Sequence, residues 1–284
     1  MGRALAESLL RSGHPTTVWN RTPGKADQLV GQGAHLAGSA AEALAANGVA
    51  VLCLIDGAAV DSVLDRAARE TDLSGLVVVN LTADTPELTR ELDARLAERG
   101  ITLLDGAIMT GAETIGTRAT RVLYSGPRET YEAHRDLLSA FGGTAHYLGS
   151  EVSAAATYDV ALLSQFWTSI GGVAHALAYA RAQGLDVNLV APHAAAMSRL
   201  AADVLPELAS DLVEGSFSGA ESSSLDSVSA SLGHLRAAMT AAGVPEGGLE
   251  ATHAVVERAR DAGYGGDSPS RLADVLDPHA ADGS

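Results

Sequence analysis

The strongest constraint on the fold is a rhythm. Between residue 3 and about residue 150, apolar runs of strand length alternate with helical stretches, and after Gly149 the strand-like runs stop. A parallel sheet produces this alternation, because each strand needs a crossover helix to bring the chain back to the same edge. Strands are expected at 16–19, 49–55, 76–81, 101–104, 121–124 and 145–148. One intervening helix is fully punctuated: Thr85 caps it, Pro86 and Glu87 occupy its first turn, Leu88, Leu92 and Leu96 form its buried stripe, and Gly100 stops it. Past residue 150 alanine, leucine and serine recur with helical spacing. A single helix fits 151–183, with others at about 187–214, 221–242 and 249–262, breaks at Gly243, Pro245, Gly247 and Gly248, and a frayed tail after Pro278. The fold class is therefore α/β, organised as a sheet domain over 1–150, a connecting helix over 151–183 and an all-α domain over 184–284.

Charge narrows the partners. Acids number 35 against 19 bases, and a net −16 repels phosphate backbones, so nucleic acid is excluded. The single cysteine, Cys53, sits in the apolar run 49–55 and reads as a structural thiol. The first residues lack the basic start, apolar stretch and cleavage site of a signal peptide, which gives a cytoplasmic address. Residues 160–180 contain no Asp, Glu, Lys or Arg and are long enough to span a bilayer. Ser164, Gln165, Thr168, Ser169 and His175 nevertheless suit a helix covered by protein, so a second chain is expected there and a membrane is not. No H-E-x-x-H, C-x-x-C or His/Asp/Glu cluster suggests a metal, and neither a G-x-S-x-G elbow nor a P-loop is present.

A dinucleotide-binding unit opens with a strand, a glycine-rich turn and a helix whose N-terminus faces the pyrophosphate. Here Met1-Gly2 runs directly into a helix with Leu5, Leu9 and Leu10 on its apolar side and Gly13 as its stop. Gly2 stands where the third glycine of G-x-G-x-x-G would be, without the strand and glycines before it. The expectation is an internal start, with translation beginning at least about a dozen residues upstream. At the end of the next strand an NAD site places Asp or Glu. This chain has Asn20-Arg21-Thr22, with Lys25 one turn on and no carboxylate before Asp27. Guanidinium, ammonium and hydroxyl groups suit a 2′-phosphate, so the expected cofactor is NADPH. The alternative is that Arg21 and Lys25 are ordinary solvated charges. Against it, Lys25 is the only lysine in the chain.

On the long helix, Asp159 shares a face with apolar neighbours: at 100° per residue Phe166 lies about 20° and Leu163 about 40° from it. A carboxylate in such company costs free energy unless it is paired or protonated. Two readings stay open, an acid neutralised by an arginine elsewhere in the fold, or an acid of raised pKa that supplies a proton or stabilises a cation at a substrate site.

The runs 13–26 (through Trp19-Asn20-Arg21-Thr22), Val79-Asn80-Leu81-Thr82, Asp105-Gly106-Ala107-Ile108-Met109, Ile115-Gly116-Thr117, Leu123-Tyr124-Ser125-Gly126 and Tyr158-Asp159-Val160-Ala161-Leu162-Leu163 together resemble the NADPH-dependent imine reductases, in the β-hydroxyacid dehydrogenase superfamily. The resemblance covers most of the chain and is weakest after about residue 200. It implies a Rossmann-like domain, a long interdomain helix and a helical domain exchanged between two subunits. Hydroxyacid dehydrogenases of the superfamily use a lysine at the start of that helix, which this chain lacks, and Asp159 stands at the position where imine reductases carry aspartate or tyrosine. The resemblance also implies cofactor contacts from Gly2, Asn20, Arg21, Thr22, Lys25, Leu54, Ile55, Asn80 and Thr82, and a pocket of Ile108, Met109, Leu163, Phe166, Trp167 and His193. His193 lines the partner's pocket or is an ordinary surface histidine after Pro192. Ala83 and Trp167 replace the asparagine and tyrosine of the reductive aminases, which favours reduction of preformed, mostly cyclic imines with the R handedness of aspartate-type members. Glu113 adds a charge in the loop after Met109. The competing expectations are a carbonyl or enamine reductase of the same superfamily and a non-catalytic nucleotide-binding dimer.

Overall fold

The structure, a computed structural model, describes residues 1–218 and 223–280. It divides into two compact units, Met1–Leu163 and Ser164–Ser284.

The first unit runs α1 (Gly2–Arg11), β1 (Thr17–Val18), α2 (Asp27–Gly31), β2 (His35–Leu36), α3 (Ala40–Ala45), β3 (Val49–Leu52), α4 (Gly57–Ala68), β4 (Val77–Asn80), α5 (Pro86–Ala97), β5 (Thr102–Ile108), β6 (Arg121–Ser125), α6 (Arg128–Ala133), α7 (Arg135–Ser139) and β7 (Thr144–Tyr147). Strands β3 to β7 form one sheet in chain order, parallel except for the antiparallel β5–β6 pair. Successive strand residues point to opposite faces. Val78 and Leu103 accordingly pack with Val60, Leu64, Leu92 and Leu96 on one side, while Val79 and Leu104 pack with Leu5, Leu9, Tyr124 and Phe141 on the other. Helices cover both faces, which is why β4 reads as an unbroken apolar run.

Local signals explain the elements around the sheet. The Thr85 hydroxyl accepts the Leu88 N–H at 3.3 Å, and the helix it caps ends within a few residues of the predicted stop; of its expected buried stripe Leu92 and Leu96 are buried, while Leu88, in the first turn, is exposed. Strand β5 continues past the expected 101–104 to Ile108, because pairing with β6 provides partners for the backbone of Asp105, Gly106 and Ala107. Strand β2 was not anticipated: His35-Leu36 is exposed and offers no apolar run, and it pairs with β1 alone. Among the described residues β1–β2 and β3–β7 are separate ladders, and β3 pairs only with β4.

Helix α8 (Ala154–Ala182) contains the boundary between the units. The second unit continues with α9 (Val187–Asp203), α10 (Leu205–Glu214), α11 (Leu225–Ala241), α12 (Gly248–Asp261) and α13 (Arg271–Leu276). The helix expected over 187–214 is two helices. They part at Val204, where Pro206 in the first turn of α10 cannot carry the preceding hydrogen-bond ladder onward. Positions 221–222 of the helix expected over 221–242 lie outside the described residues, as do 281–284 of the tail, and α13 was not foreseen. Leu225, Leu232, Val256 and Ala259 form this unit's core. Its end is fixed by Arg271, which lies 3.7 Å from the centroid of Phe217 and 4.2 Å from that of Tyr264, with Asp267 and Asp274 as ion-pair partners. Helices α9 and α10 bury no residue, and Leu189, Met197, Leu200, Leu205, Leu212 and Val213 are exposed.

Candidate active site

In a parallel sheet, ligands bind beyond the carboxyl ends of the strands. The residues following β3 and β4, the C-terminal half of β5 and the first turns of α8 enclose a pocket of about 240 Å³ there. Its lining includes Cys53, Leu54 and Ile55 after β3, Leu81 to Asp84 after β4, Asp105 to Ile108 in β5, and Ala156, Asp159 and Leu163 from α8. Three carboxyl groups, Asp84, Asp105 and Asp159, face it, and among the described residues no lysine, arginine or histidine does.

Helix α8 is anchored where it presents Asp159. The Ser125 hydroxyl at the end of β6 donates to the Val152 carbonyl at 2.7 Å and accepts the Ala155 N–H at 2.8 Å. One turn later Asp159 is 7 % exposed and bonds to no arginine or lysine among the described residues. Burial pushes its carboxyl above the usual range. Of the two sequence readings, the acid neutralised by an arginine thus finds no support.

Asp105 is the residue that sequence reasoning missed. It stands opposite Asn80 in the β4–β5 register, 3 % exposed, and its Oδ1 accepts from Asn80 Nδ2 at 2.9 Å. The Gly106 N–H also donates to it, yet burial outweighs both bonds, and the charges of Asp159 and Asp84 act in the same direction, so its pKa is raised to about 7. A signal was available: polar residues end the apolar runs of two adjacent strands, Val79-Asn80 and Leu104-Asp105. The glycine that follows is obligatory on steric grounds, since a Cβ at Gly106 would lie 2.7 Å from Leu81 Cδ2 and 2.9 Å from Tyr124 Cδ1. Asp84 is placed by a similar close approach, its Oδ2 1.7 Å from where a Cβ on Gly57 would be.

The other expected residues fall into three groups. Leu54, Ile55, Thr82, Ile108, Asp159 and Leu163 line the pocket, and the Thr82 hydroxyl accepts the Leu54 N–H at 3.0 Å, tying β3's end to β4's. Asn80 does not line it, because its amide is engaged by Asp105 and by the Thr82 carbonyl. Met109 is half-buried against Ala107, Leu123 and Ala155 instead, and Glu113 is exposed. Phe166, Trp167 and His193 belong to the second unit, where all three are exposed and the two aromatic rings meet edge-on at 5.3 Å.

Gly2 begins α1 against the same strand end: a Cβ there would meet the Cys53 carbonyl oxygen at 3.5 Å. The N-cap residue Met1 makes no side-chain cap bond and the first turn holds no acid; the Gly2 N–H is directed at the Cys53 thiol, and the rest of the positive end is open to an anion. After β1, Asn20, Arg21, Thr22 and Lys25 are exposed, and neither Arg21 nor Lys25 has an ion-pair partner among the described residues. These exposed donors are of the kind that phosphate groups accept from.

A twice-covered α/β sheet with an acid-free helix end, an exposed basic strand end and an acid-lined pocket is the arrangement of a dinucleotide-dependent oxidoreductase. Comparison with known proteins makes this specific. Residues 1–149 match the NAD binding domain of 6-phosphogluconate dehydrogenase, and residues 151–278 match the C-terminal domain of NADPH-dependent reductive aminase-like proteins. The NADPH-dependent reductive aminase of Aspergillus oryzae is 37 % identical over 195 residues, covering 67 % of this chain and 64 % of that protein, so the match spans just under two thirds of that relative. The imine reductase of Myxococcus stipitatus in complex with NADP+ superposes with a TM-score of 0.91 at 32 % identity, over 98 % of this chain and 96 % of its own. The reductive aminase of Aspergillus terreus in complex with NADPH4, cyclohexanone and allyl amine gives 0.90 at 34 % identity, over 98 % and 96 %. The chain belongs to the NADPH-dependent imine reductase and reductive aminase family.

Proposed function

We propose that this protein reduces preformed, mostly cyclic imines to amines with NADPH, and that Asp159 is its catalytic acid. The observation that carries the reading is a pocket with three carboxyl groups and no cationic side chain, one of the acids on α8 unpaired and shielded from water. A neutral imine accepts hydride poorly, whereas its protonated form carries the charge that hydride transfer cancels. A lysine would oppose that cation, and a carboxyl group favours it.

NADPH, when bound, supplies the hydride. Gly2 and the open N–H groups of α1 take the pyrophosphate, and Arg21, Thr22 and Lys25 take the 2′-phosphate. Asp159, its proton affinity raised by burial, gives a proton to the imine nitrogen or holds the iminium by charge. Leu54 and Ile108, both half-buried, border that contact and lower the local dielectric, which strengthens it. NADPH oxidation tests the reading directly: a small cyclic imine should be turned over, while a ketone alone and no substrate should not. Ketone turnover equal to that of the imine would mark a carbonyl reductase instead.

The same reading makes the protein a homodimer with exchanged helical domains. Helix α8 is by length and composition able to cross a membrane, and along α8 to α10 Val160, Phe166, Trp167, Ile170, Leu189 and Met197 are exposed. So large an apolar surface calls for a cover, and a second copy supplies a matching one by two-fold symmetry. Light scattering should give twice the chain mass of 28.9 kDa without detergent. A monomer, or recovery only with membranes, would refute it. A cytoplasmic location completes the reading, its support being the lone Cys53 with no disulfide partner in the chain.

A further inference from the structure

We propose that Asp105 is a positioning residue for this reaction: a second carboxyl in the pocket of Asp159, on a different element, that sets the negative charge the pocket presents to a cationic C=N group. The inference rests on the imine-reducing reading and concerns a residue which that reading leaves unused.

The placement is specific. Asp105 is 3 % exposed in β5, locked by Asn80 Nδ2 at 2.9 Å and by the Gly106 N–H, and it opens onto the same cavity as Asp159. The groups facing it are Asp159 from α8, Asp84 from the loop before α5 and Cys53 after β3, with Met1 at the α1 end of the lining. Burial pushes the Cys53 thiol up, so it stays neutral through the range concerned. Among the described residues no cationic side chain offsets the acids; the one cation on the lining is the terminal ammonium of Met1, which acts on Cys53. Two carboxyl groups sharing a small cavity lose their protons one after the other, because the first charge opposes the second. With Asp159 charged, Asp105 holds its proton until pH about 7. Below that pH the neutral Asp105 leaves Asp159 to meet the substrate alone. Above it the pocket gains a second charge and draws a cation more strongly.

The test uses a probe whose own charge cannot change, an N-methylated cyclic iminium ion, reduced with NADPH at pH 6 and pH 8.5. Its KM in the native protein should fall about tenfold between these values, the effect of one extra charge at several ångströms in a partly shielded site. In Asp105→Asn, which keeps an oxygen for Asn80 but cannot ionise, KM should no longer change across this range, whatever its absolute value. Carboxyl carbon-13 spectra of aspartate-labelled protein provide a readout independent of activity: one resonance should titrate with a midpoint near 7 and be missing from the variant. A native KM without the pH step, a step that survives in Asp105→Asn, or no carboxyl titrating between pH 6 and 8 overturns the proposal. Failure of the underlying reading looks different, since Asp159→Leu would then turn over imines as the native protein does.

Discussion

Replacing Asp159 by leucine is the most direct challenge to the chemistry. The side chain is almost fully shielded, bonds to no base among the described residues, and lies in a pocket whose remaining walls are largely apolar. A carboxylate at roughly 5 Å from an iminium nitrogen, in an effective dielectric near 20, contributes about 3 kcal/mol. Water entering the open side of the pocket reduces this to about 2 kcal/mol, and at 1.4 kcal/mol per factor of ten kcat should fall about thirtyfold. The assay is NADPH oxidation with a five- or six-membered cyclic imine at saturating substrate. NADPH affinity, measured by fluorescence titration, should stay within about twofold, since Gly2, Arg21 and Lys25 are untouched. Asp159→Asn should lose nearly as much, because the charge matters more than the shape. The Leu variant should melt no lower than the native protein, as it removes a group that burial disfavours. A kcat within twofold of native, or NADPH binding that weakens in step with turnover, would refute the reasoning.

Further outcomes follow from the same geometry. Arg21→Ala or Lys25→Ala should raise the KM for NADPH about tenfold or more while leaving that for NADH nearly unchanged, read from initial rates with each cofactor. Asp105 binds a proton more tightly when folded than when unfolded, with a folded pKa of about 7 against 3.8. The native state therefore loses stability as pH rises from about 4 to 7, with an upper bound on the order of 4 kcal/mol. Asp105→Asn should accordingly melt higher than native at pH 8, and the gap should close towards pH 4. Gly106→Ala forces a methyl group onto Leu81 and Tyr124 and should cost about 1–3 kcal/mol in denaturant unfolding. Thr85→Ala removes the hydroxyl that caps α5 and should cost about 1 kcal/mol.

Sequence alone determined what depends on neighbours along the chain. The strand runs, the cap at Thr85, the lone lysine beside Arg21 and the end of the sheet region near Gly149 all follow from periodicity and side-chain chemistry over a few residues. The burial of Asp159 was legible as well, from its place among apolar residues on one helix, although Leu163 and Phe166 on the same face are themselves exposed. Where the signal was weak, the structure differed: β2 has two exposed residues, the extension of β5 depends on a partner strand, and a proline divided the helix expected over 187–214. Only the tertiary structure could set Asn80 beside Asp105, 25 positions apart, and bring Asp84, Asp105 and Asp159 around one cavity. The charge state of a carboxyl group depends on how much water is removed from it and which charges remain nearby, and both are decided by segments far apart in the chain.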